Sequence, residues 1–251
     1  MKKSIGKNAL QSLVALAVIV GVWLIAHAVV GNELLVPSFS DCIRQVGRLL
    51  TSSTFWTAFL RSLGRVFLAF AVSLVFALVF ALVAYLLPSF GWFFAPIVSV
   101  LRSVPTLCVL LIILVWTTAD VAPTVVAFLS LFPILYTGIS AGLRGVDKEL
   151  VEMSKVYKVS WKKRIFSLYL PAALPYVTRE CVAGLSFSLK LVVSAEVLAG
   201  TYGSLGSLMQ EAKIYAEMPT LFALVIVTFL TGFLLEWFGE LFAAWVERRV
   251  K

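Results

Sequence analysis

The stretch Val66–Leu101 reads VFLAFAVSLVFALVFALVAYLLPSFGWFFAPIVSVL and contains no charged residue over 36 positions. A helix that crosses a membrane needs about 20 mostly apolar residues, so this run is too long for a single span. Pro88, Gly91 and Pro96 interrupt it, and residues of these types mark turns. The stretch therefore predicts two membrane-spanning helices, at about 59–87 and 95–118, joined by a tight turn.

The whole chain has the composition of a membrane protein. Of its 251 residues 61% are hydrophobic and 14% are charged, whereas a soluble domain carries about 25% charged residues. So few polar side chains cannot cover a soluble core of this size, which excludes a soluble globular protein. The same composition excludes a disordered, collagenous or disulfide-rich chain. Three scattered cysteines and the single His27 form no metal-ligand set, so we expect no metal site.

Similar apolar runs predict six transmembrane helices in all. They lie at about 9–30, 59–87, 95–118, 122–142, 168–198 and 219–246, with boundaries good to a few residues. The expected fold class is thus an all-α integral membrane protein with about six transmembrane helices. Residues 31–58 form an external segment in which Ile43, Val46 and Leu50 share one side, as in a helix that lies at the membrane interface.

The distribution of lysine and arginine predicts the orientation of the spans. Thirteen of the 21 lie in the N-terminal tail, the segment 144–164 and the C-terminus, against five in the segments on the other side. Because cytoplasmic segments collect positive charge, we expect both termini in the cytoplasm. The net charge of +8 then needs no nucleic-acid partner. The N-terminus also resembles a cleavable signal peptide, but its apolar stretch of about 20 residues exceeds the usual 7–15, which favours a retained helix.

Arg102, Arg179, Lys190 and Glu196 are charged residues that fall within the predicted spans. A charge at this depth usually faces protein or a water-filled cavity. Arg102 stands shortly before Pro105, and proline kinks a helix. Its side chain either reaches the cytoplasmic headgroups or lines a pathway between helices. Lys190 and Glu196 are six residues apart, a rotation of about 600°, so we expect them to face different neighbours.

The polar segment 144–164 predicts a short amphipathic helix in the cytoplasm. Val146, Leu150, Met153 and Tyr157 recur at the spacing of one helical face. Acidic residues stand near the start of this helix and lysines near its end, as the helix dipole favours. Two interpretations remain open at this point: a basic helix that lies on the lipid surface, or a docking helix for a cytoplasmic partner.

The same segment resembles the signature loop of ABC-importer permeases, which is Glu-Ala-Ala, three residues, Gly, nine residues, then Ile-x-Leu-Pro. Here Glu152-Met153-Ser154, Lys158 and Leu168-Tyr169-Leu170-Pro171 keep that spacing throughout. Other stretches, over about residues 30–250, resemble the branch of this family that serves nitrate, sulfonate, taurine and thiamine-precursor uptake. These stretches are Leu35–Ser38, Arg102–Pro105 with Trp116, Phe132–Ile134, Leu150–Met153, Leu170–Pro175 and Ala195-Glu196.

The resemblance implies the type I ABC importer permease fold. The type-1 transmembrane domain would occupy 59–247, with its coupling loop at 144–166, after a tail and first helix at 1–30 and before a tail at 248–251. A separate ABC ATPase subunit would bind the loop. Because the chain has no GxxxxGK[ST] loop, ATP and Mg²⁺ would belong to that partner and no cofactor to this chain. The other implied partners are a periplasmic or lipid-anchored substrate-binding protein, a second permease copy and membrane lipid, at a bacterial inner membrane.

The resemblance also assigns site residues, none of them catalytic. Those for ATPase coupling are Leu150, Glu152, Met153, Ser154, Tyr157, Lys158, Leu170 and Pro171. Candidates for the translocation path are Arg102, Pro105, Trp116, Lys190 and Glu196. Departures from the branch at Leu111, Thr117, Thr118 and Lys190 leave the substrate open. Lys158 replaces a glycine, and because a left-handed backbone is unfavourable for lysine, we expect an altered turn there.

Two functions of other classes compete with that of a permease. A secondary transporter or channel often shows inverted repeats, and this sequence shows no convincing repeat. Ser186 in Gly184–Phe187 resembles the serine motif of rhomboid-type intramembrane proteases. No histidine follows Ser186 to act as its base, so we expect this serine to pack between helices.

Overall fold

The computed structural model describes the backbone of residues 2–250 and the side chains of residues 14, 17–246 and 248, except those of 148, 166 and 172. In this part of the chain the regular structure is helical and no strand occurs. The helices are α1 Lys2–Val30, α2 Phe39–Thr51, α3 Ser53–Leu86, α4 Pro88–Ser103, α5 Thr106–Trp116, α6 Ala122–Arg144, α7 Lys148–Val156, α8 Trp161–Arg164, α9 Leu170–Ala199, α10 Leu205–Ile214 and α11 Met218–Val250, with a π-turn at Ile165–Tyr169 between α8 and α9. The predicted all-α fold is confirmed.

Four helices of the described chain are long and apolar enough to cross a membrane: α3, α6, α9 from Ala173 and α11 as far as Val246. They match the predicted spans at 59–87, 122–142, 168–198 and 219–246. The bent pair α4 and α5 makes a fifth candidate. The predicted first span, 9–30, lies in α1, whose described apolar part, Ala17–Val30, is shorter than a membrane crossing. The side chains of Lys2, Lys3 and Lys7 lie outside the described part.

The predicted third span, 95–118, is wrong in two respects. Its helix begins at Pro88 rather than at about 95, because the predicted turn falls at Leu87, directly before Pro88, while Pro96 lies inside α4. Proline is tolerated in the first turn of a helix, where its missing N–H has no partner to lose. The span is also broken at Val104, before the Pro105 that was expected to kink it, and Val104 is extended (φ −74°, ψ 127°) because the residue before a proline avoids the helical region. The axes of α4 and α5 meet there at 96°.

The chain divides into two compact units, of which the first comprises residues 1–56 and 208–228. Here the Trp23 indole donates to the Pro37 carbonyl (3.1 Å) and packs against Phe39 and Phe222. Helix α2, predicted to lie at the membrane interface, begins after Ser38, whose hydroxyl accepts from the Asp41 backbone N–H. Burial, with a smaller effect of the Asp41 charge, raises the pKa of the Cys42 thiol to about 11, so this thiol stays protonated near neutral pH.

The second unit comprises residues 57–207 and 229–251, and α6 packs against α9 at its centre. Leu131, Leu135 and Ile139 of α6 are buried in this core. The two helices approach closely at Gly142, where a Cβ would lie 2.7 Å from the Cβ of Tyr176. A small residue at such a crossing lets helix backbones come together in a membrane. The core therefore holds α9, which follows the predicted coupling loop, against α6, which precedes it.

Candidate functional site

The predicted amphipathic helix exists as α7, Lys148–Val156. Asp147 caps its start, since its carboxylate accepts from the Glu149 backbone N–H at 2.9 Å. Val151 packs against the core, and Ser154 is 9% exposed with its hydroxyl donating to the Val151 carbonyl at 2.6 Å. Helix α7 is thus anchored to the second unit by one face.

The opposite face of α7 is apolar and uncovered. Leu150, Met153 and Tyr157 are 45%, 52% and 76% exposed, and Val156 beside them is 78% exposed. Val146, which was predicted to share their face, is buried because it precedes the helix and does not follow its rotation. Together with the exposed Glu152, the four apolar residues form what we call the docking surface. Exposing these apolar side chains to water is unfavourable in free energy, so a partner protein or a lipid layer is expected to cover this surface.

Lys158 ends α7 in a left-handed conformation, with φ 51°. The Val159 N–H donates to the Ser154 carbonyl and the Lys158 N–H to the Lys155 carbonyl, both at 3.0 Å. This pair of bonds is the Schellman motif, which satisfies carbonyls at the end of a helix. The expectation of an altered turn was wrong: lysine itself takes the conformation that glycine favours, because the two bonds and the packing of Ser154 hold it there.

Replacing Lys158 with glycine is therefore expected to stabilise the chain. A left-handed conformation costs a non-glycine residue about 1–2 kcal/mol, and the added freedom of glycine in the unfolded chain returns about half of that, leaving a gain of about 0.5–1 kcal/mol. The thermal unfolding midpoint of the protein in detergent measures it. As a control, Lys155→Gly inside α7 should lose about 1 kcal/mol. A lower midpoint for Lys158→Gly than for the unchanged chain would contradict the interpretation that the left-handed backbone of Lys158 is strained.

The remaining residues predicted for coupling, Leu170 and Pro171, lie at the start of α9 rather than beside α7. The π-turn precedes them, and its Tyr169 is 4% exposed with its ring 5.2 Å from that of Tyr85. The segment from Lys158 to Pro171 thus connects the docking surface to a long membrane helix through the left-handed turn, α8 and the π-turn.

The structure separates the five candidates for the translocation path. Pro105 sits at the break between α4 and α5, whereas Trp116 and Lys190 are exposed on α5 and α9. Arg102 lines a cavity of about 760 Å³ together with Arg144. Because Arg144 is the last residue of α6, its position at the edge of the polar loop hid this role from the sequence.

Glu196, the fifth candidate, is fully buried and lines no described cavity. Its carboxylate lies 2.9 and 2.7 Å from the Ser62 hydroxyl, accepts from Arg65 Nη1 at 2.9 Å and accepts from the Gly206 N–H at 3.2 Å. Arg65 Nη2 also reaches the exposed Asp120 at 3.3 Å. Glu196 therefore ties α9, α3 and the start of α10 together, which we call the Glu196 network.

Sequence reasoning missed the partners in this network. Arg65 is 131 residues from Glu196, so no local spacing joins them. It also overlooked Glu180, a carboxylate within a predicted span that lies against Gly138 of α6. The predicted packing role of Ser186 is confirmed, since its hydroxyl donates to the Gly232 carbonyl of α11 at 3.1 Å. Among the described residues no group of three or more His, Cys, Asp or Glu side chains is placed to hold a metal ion.

Residues 73–251 match the family described as the binding-protein-dependent transport system inner membrane component. The chain belongs to this family. The permease is 25% identical to a putative aliphatic sulfonates transport permease protein of Bacillus subtilis, over 92% of this chain and 84% of that protein. It is 26% identical to the taurine transport system permease protein of Escherichia coli, over 92% of this chain and 86% of that protein.

Solved structures agree on the fold of the permease. An inward-facing MetNI methionine ABC transporter matches with a TM-score of 0.62 at 18% identity, over 80% of this chain and all of that one. At this identity the likeness shows the type I importer permease fold and not the cargo. The resemblance read from the coupling loop is confirmed: the chain is a multi-pass inner-membrane permease component of ABC importers.

Proposed function

We propose that this permease is driven by a separate ATPase subunit that binds the docking surface of α7. Four exposed apolar side chains around the carboxylate of Glu152 support this function best. Such a surface suits a groove on a protein, where the apolar residues are covered and the carboxylate gives orientation. ATP and Mg²⁺ belong to that partner, since the sequence has no phosphate-binding GxxxxGK[ST] loop, and this chain carries no catalytic step.

The proposal extends to the rest of the importer. Two permease copies enclose the path, both termini of each lie in the cytoplasm, and an external binding protein delivers a small solute near residues 199–218. On α5 the apolar side chains of Leu107, Leu111 and Val115 are exposed. This exposure supports a face of α5 that the second permease copy or lipid covers. The excess of basic residues at the two termini and in 144–164 supports the orientation.

Movement passes from the docking surface to α9 along the short segment that connects them. Helix α7 is anchored by Val151 and Ser154, the Schellman turn fixes its end, and the π-turn leads into Pro171 at the start of α9. When ATP brings two ATPase subunits together, two α7 helices move with them. The permease then shifts between inward-open and outward-open populations, as a two-state element biased by its partner.

Replacing Glu152 with lysine tests the proposal. The reversed charge is expected to abolish capture of the ATPase by the tagged permease and to lower ATP-driven uptake at least tenfold, while insertion into the membrane is unchanged. Glu33→Lys makes the same charge change in the exposed segment before α2 and should leave ATPase capture intact. Capture of the ATPase at the unchanged yield by the Glu152→Lys protein would overturn the docking role.

A further inference from the structure

The membrane helices α9 and α11 carry exposed charged side chains, which are Arg179 and Lys190 on α9 and Glu236 and Glu240 on α11. None of these is in an ion pair with another described side chain, whereas the buried Glu196 of α9 is balanced by its arginine. A charge within a membrane span is costly against lipid and is usually found against protein or water. We therefore expect something other than lipid to cover these side chains.

Helices α9 and α11 pack against each other in antiparallel directions. A Cβ added to Gly239 of α11 would lie 3.1 Å from the Val182 side chain of α9, and one added to Gly232 would lie 3.6 Å from the Leu189 side chain. Residue numbers thus rise along one helix as they fall along the other. These contacts mark the line along which the two helices meet, and they fix which residues lie at the same depth.

The charged side chains of both helices lie on the same side of this pair. Counting about 100° per residue, each of the four stands about 50–90° around its own helix from the line of contact, in the same sense of rotation. Because the helices are antiparallel, the same sense of rotation leads to the same side. Phe229 and Phe233 of α11 also lie there and are exposed. We call this side the charged face, made of Arg179, Lys190, Phe229, Phe233, Glu236 and Glu240.

Arg179 and Glu240 lie at nearly the same depth in the membrane. Since Gly239 is level with Val182, Glu240 is only about 3 Å from Arg179 along the helix axis. In a two-fold dimer whose copies are inserted in one orientation, a side chain meets partner side chains at its own depth. A second copy of this chain would therefore bring a carboxylate to each Arg179 and a guanidinium group to each Glu240.

We propose that the charged face is the interface between two copies of this permease, in which Arg179 of each copy pairs with the partner's Glu240. This rests on the proposed function, in which two copies enclose the path, and it adds where they touch and that the second subunit is the same chain. A face that carries both signs of charge at one depth is complementary to itself under two-fold rotation. Phe229 and Phe233 supply apolar area beside the pairs, as aromatic residues do in protein interfaces.

The test measures whether one copy recovers another in the absence of ATPase. Copies of the full-length permease with two different affinity tags are co-expressed and extracted in mild detergent, and recovery of the second copy with the first is quantified. Arg179→Glu or Glu240→Arg, placed in both copies, is expected to lower the recovery about tenfold or more, because both pairs become pairs of like charge. Arg48→Glu reverses an exposed arginine of α2 outside the charged face and should leave the recovery unchanged.

Mixing the two reversals distinguishes a pair between copies from a pair within one chain. When one copy carries Arg179→Glu and the other carries Glu240→Arg, every pair between the copies again has opposite charges. Within each chain the two residues still have like charges. We expect this mixture to be recovered as well as the unchanged chain. Recovery that returns only when both changes are in the same chain overturns the proposal in favour of an internal pair.

Other outcomes also decide against the charged face as the interface. Unchanged recovery with both single reversals shows that lipid or water covers it, and no recovery of the unchanged chain indicates a different second subunit. Monodisperse elution shows that a reversed chain is folded. If it is not, Arg179→Gln and Glu240→Gln take its place, and unchanged recovery with both again overturns the proposal. Because no ATPase is present, each of these failures leaves the Glu152 result untouched, and the reverse also holds.

Discussion

Replacing Arg65 with methionine is expected to lower the free energy of unfolding of the permease by about 3–5 kcal/mol. Glu196 is fully buried, and Arg65 Nη1, at 2.9 Å, is the cation that balances its carboxylate. Methionine fills much of the same volume but leaves the carboxylate with only the Ser62 hydroxyl and the Gly206 N–H. A buried charge without its partner is far more costly than the pair is beneficial. Tryptophan fluorescence during unfolding in detergent measures the change.

The same arginine offers a matched control. Its second partner, Asp120, is 68% exposed at the side chain, so Asp120→Asn should change stability by less than about 1 kcal/mol. Adding Glu196→Gln to Arg65→Met removes the unbalanced charge and should recover part of the loss, which a double-mutant cycle quantifies. Equal destabilisation by Arg65→Met and Asp120→Asn would show that the buried half of the Glu196 network contributes little.

Replacing Gly206 with alanine should also be strongly destabilising, by about 1–3 kcal/mol for overpacking alone. A Cβ at this position would collide with the Cβ and carbonyl carbon of Glu196 and with the backbone nitrogen of Val197. These atoms belong to the body of α9 and cannot rotate away, so α10 must move. The move also breaks the 3.2 Å bond from the Gly206 N–H to the Glu196 carboxylate. The unfolding midpoint of the purified protein reports the loss.

Gly64 provides the opposite case with the same chemical change. It lies inside α3, and nothing comes within 4 Å of a Cβ added there. Gly64→Ala should therefore raise stability by about 0.5–1 kcal/mol, since alanine is the better helix former. If both glycines respond alike, the close approach of α10 to α9 is not what constrains Gly206.

Most of the fold was predictable because a membrane helix is a local property of sequence. Apolar runs of about 20 residues located α3, α6, α9 and α11 to within a few residues. The coupling segment was equally accessible, since its spacing and its caps lie within one short stretch. Asp147 at the start of α7 and Lys158 at its end are both visible in the sequence, although the conformation of Lys158 was not expected.

The features that were missed depend on position rather than on residue type. Of the three prolines between 88 and 105, Pro88 and Pro105 follow breaks as expected, whereas only tertiary placement decides that the helix continues through Pro96. Glu196 was recognised as an unusual charge, but its partner Arg65 is distant in sequence and near the end of a predicted span. Arg144 was counted as part of a loop, because the sequence does not show that the last turns of α4 and α6 meet at one cavity.

The π-turn at Ile165–Tyr169 has a consequence for how force reaches the membrane. Its bond from the Leu170 N–H to the Ile165 carbonyl spans five residues, so the turn holds one residue more than an α-helical turn. Returning it to α-helical geometry would shift the preceding segment by about 1.5 Å and rotate it by about 100° around the axis of α9. The two geometries would place the loop in registers one residue apart along α9. A push on α7 that removed this extra residue would therefore rotate the loop about the axis of α9 as well as move it along that axis.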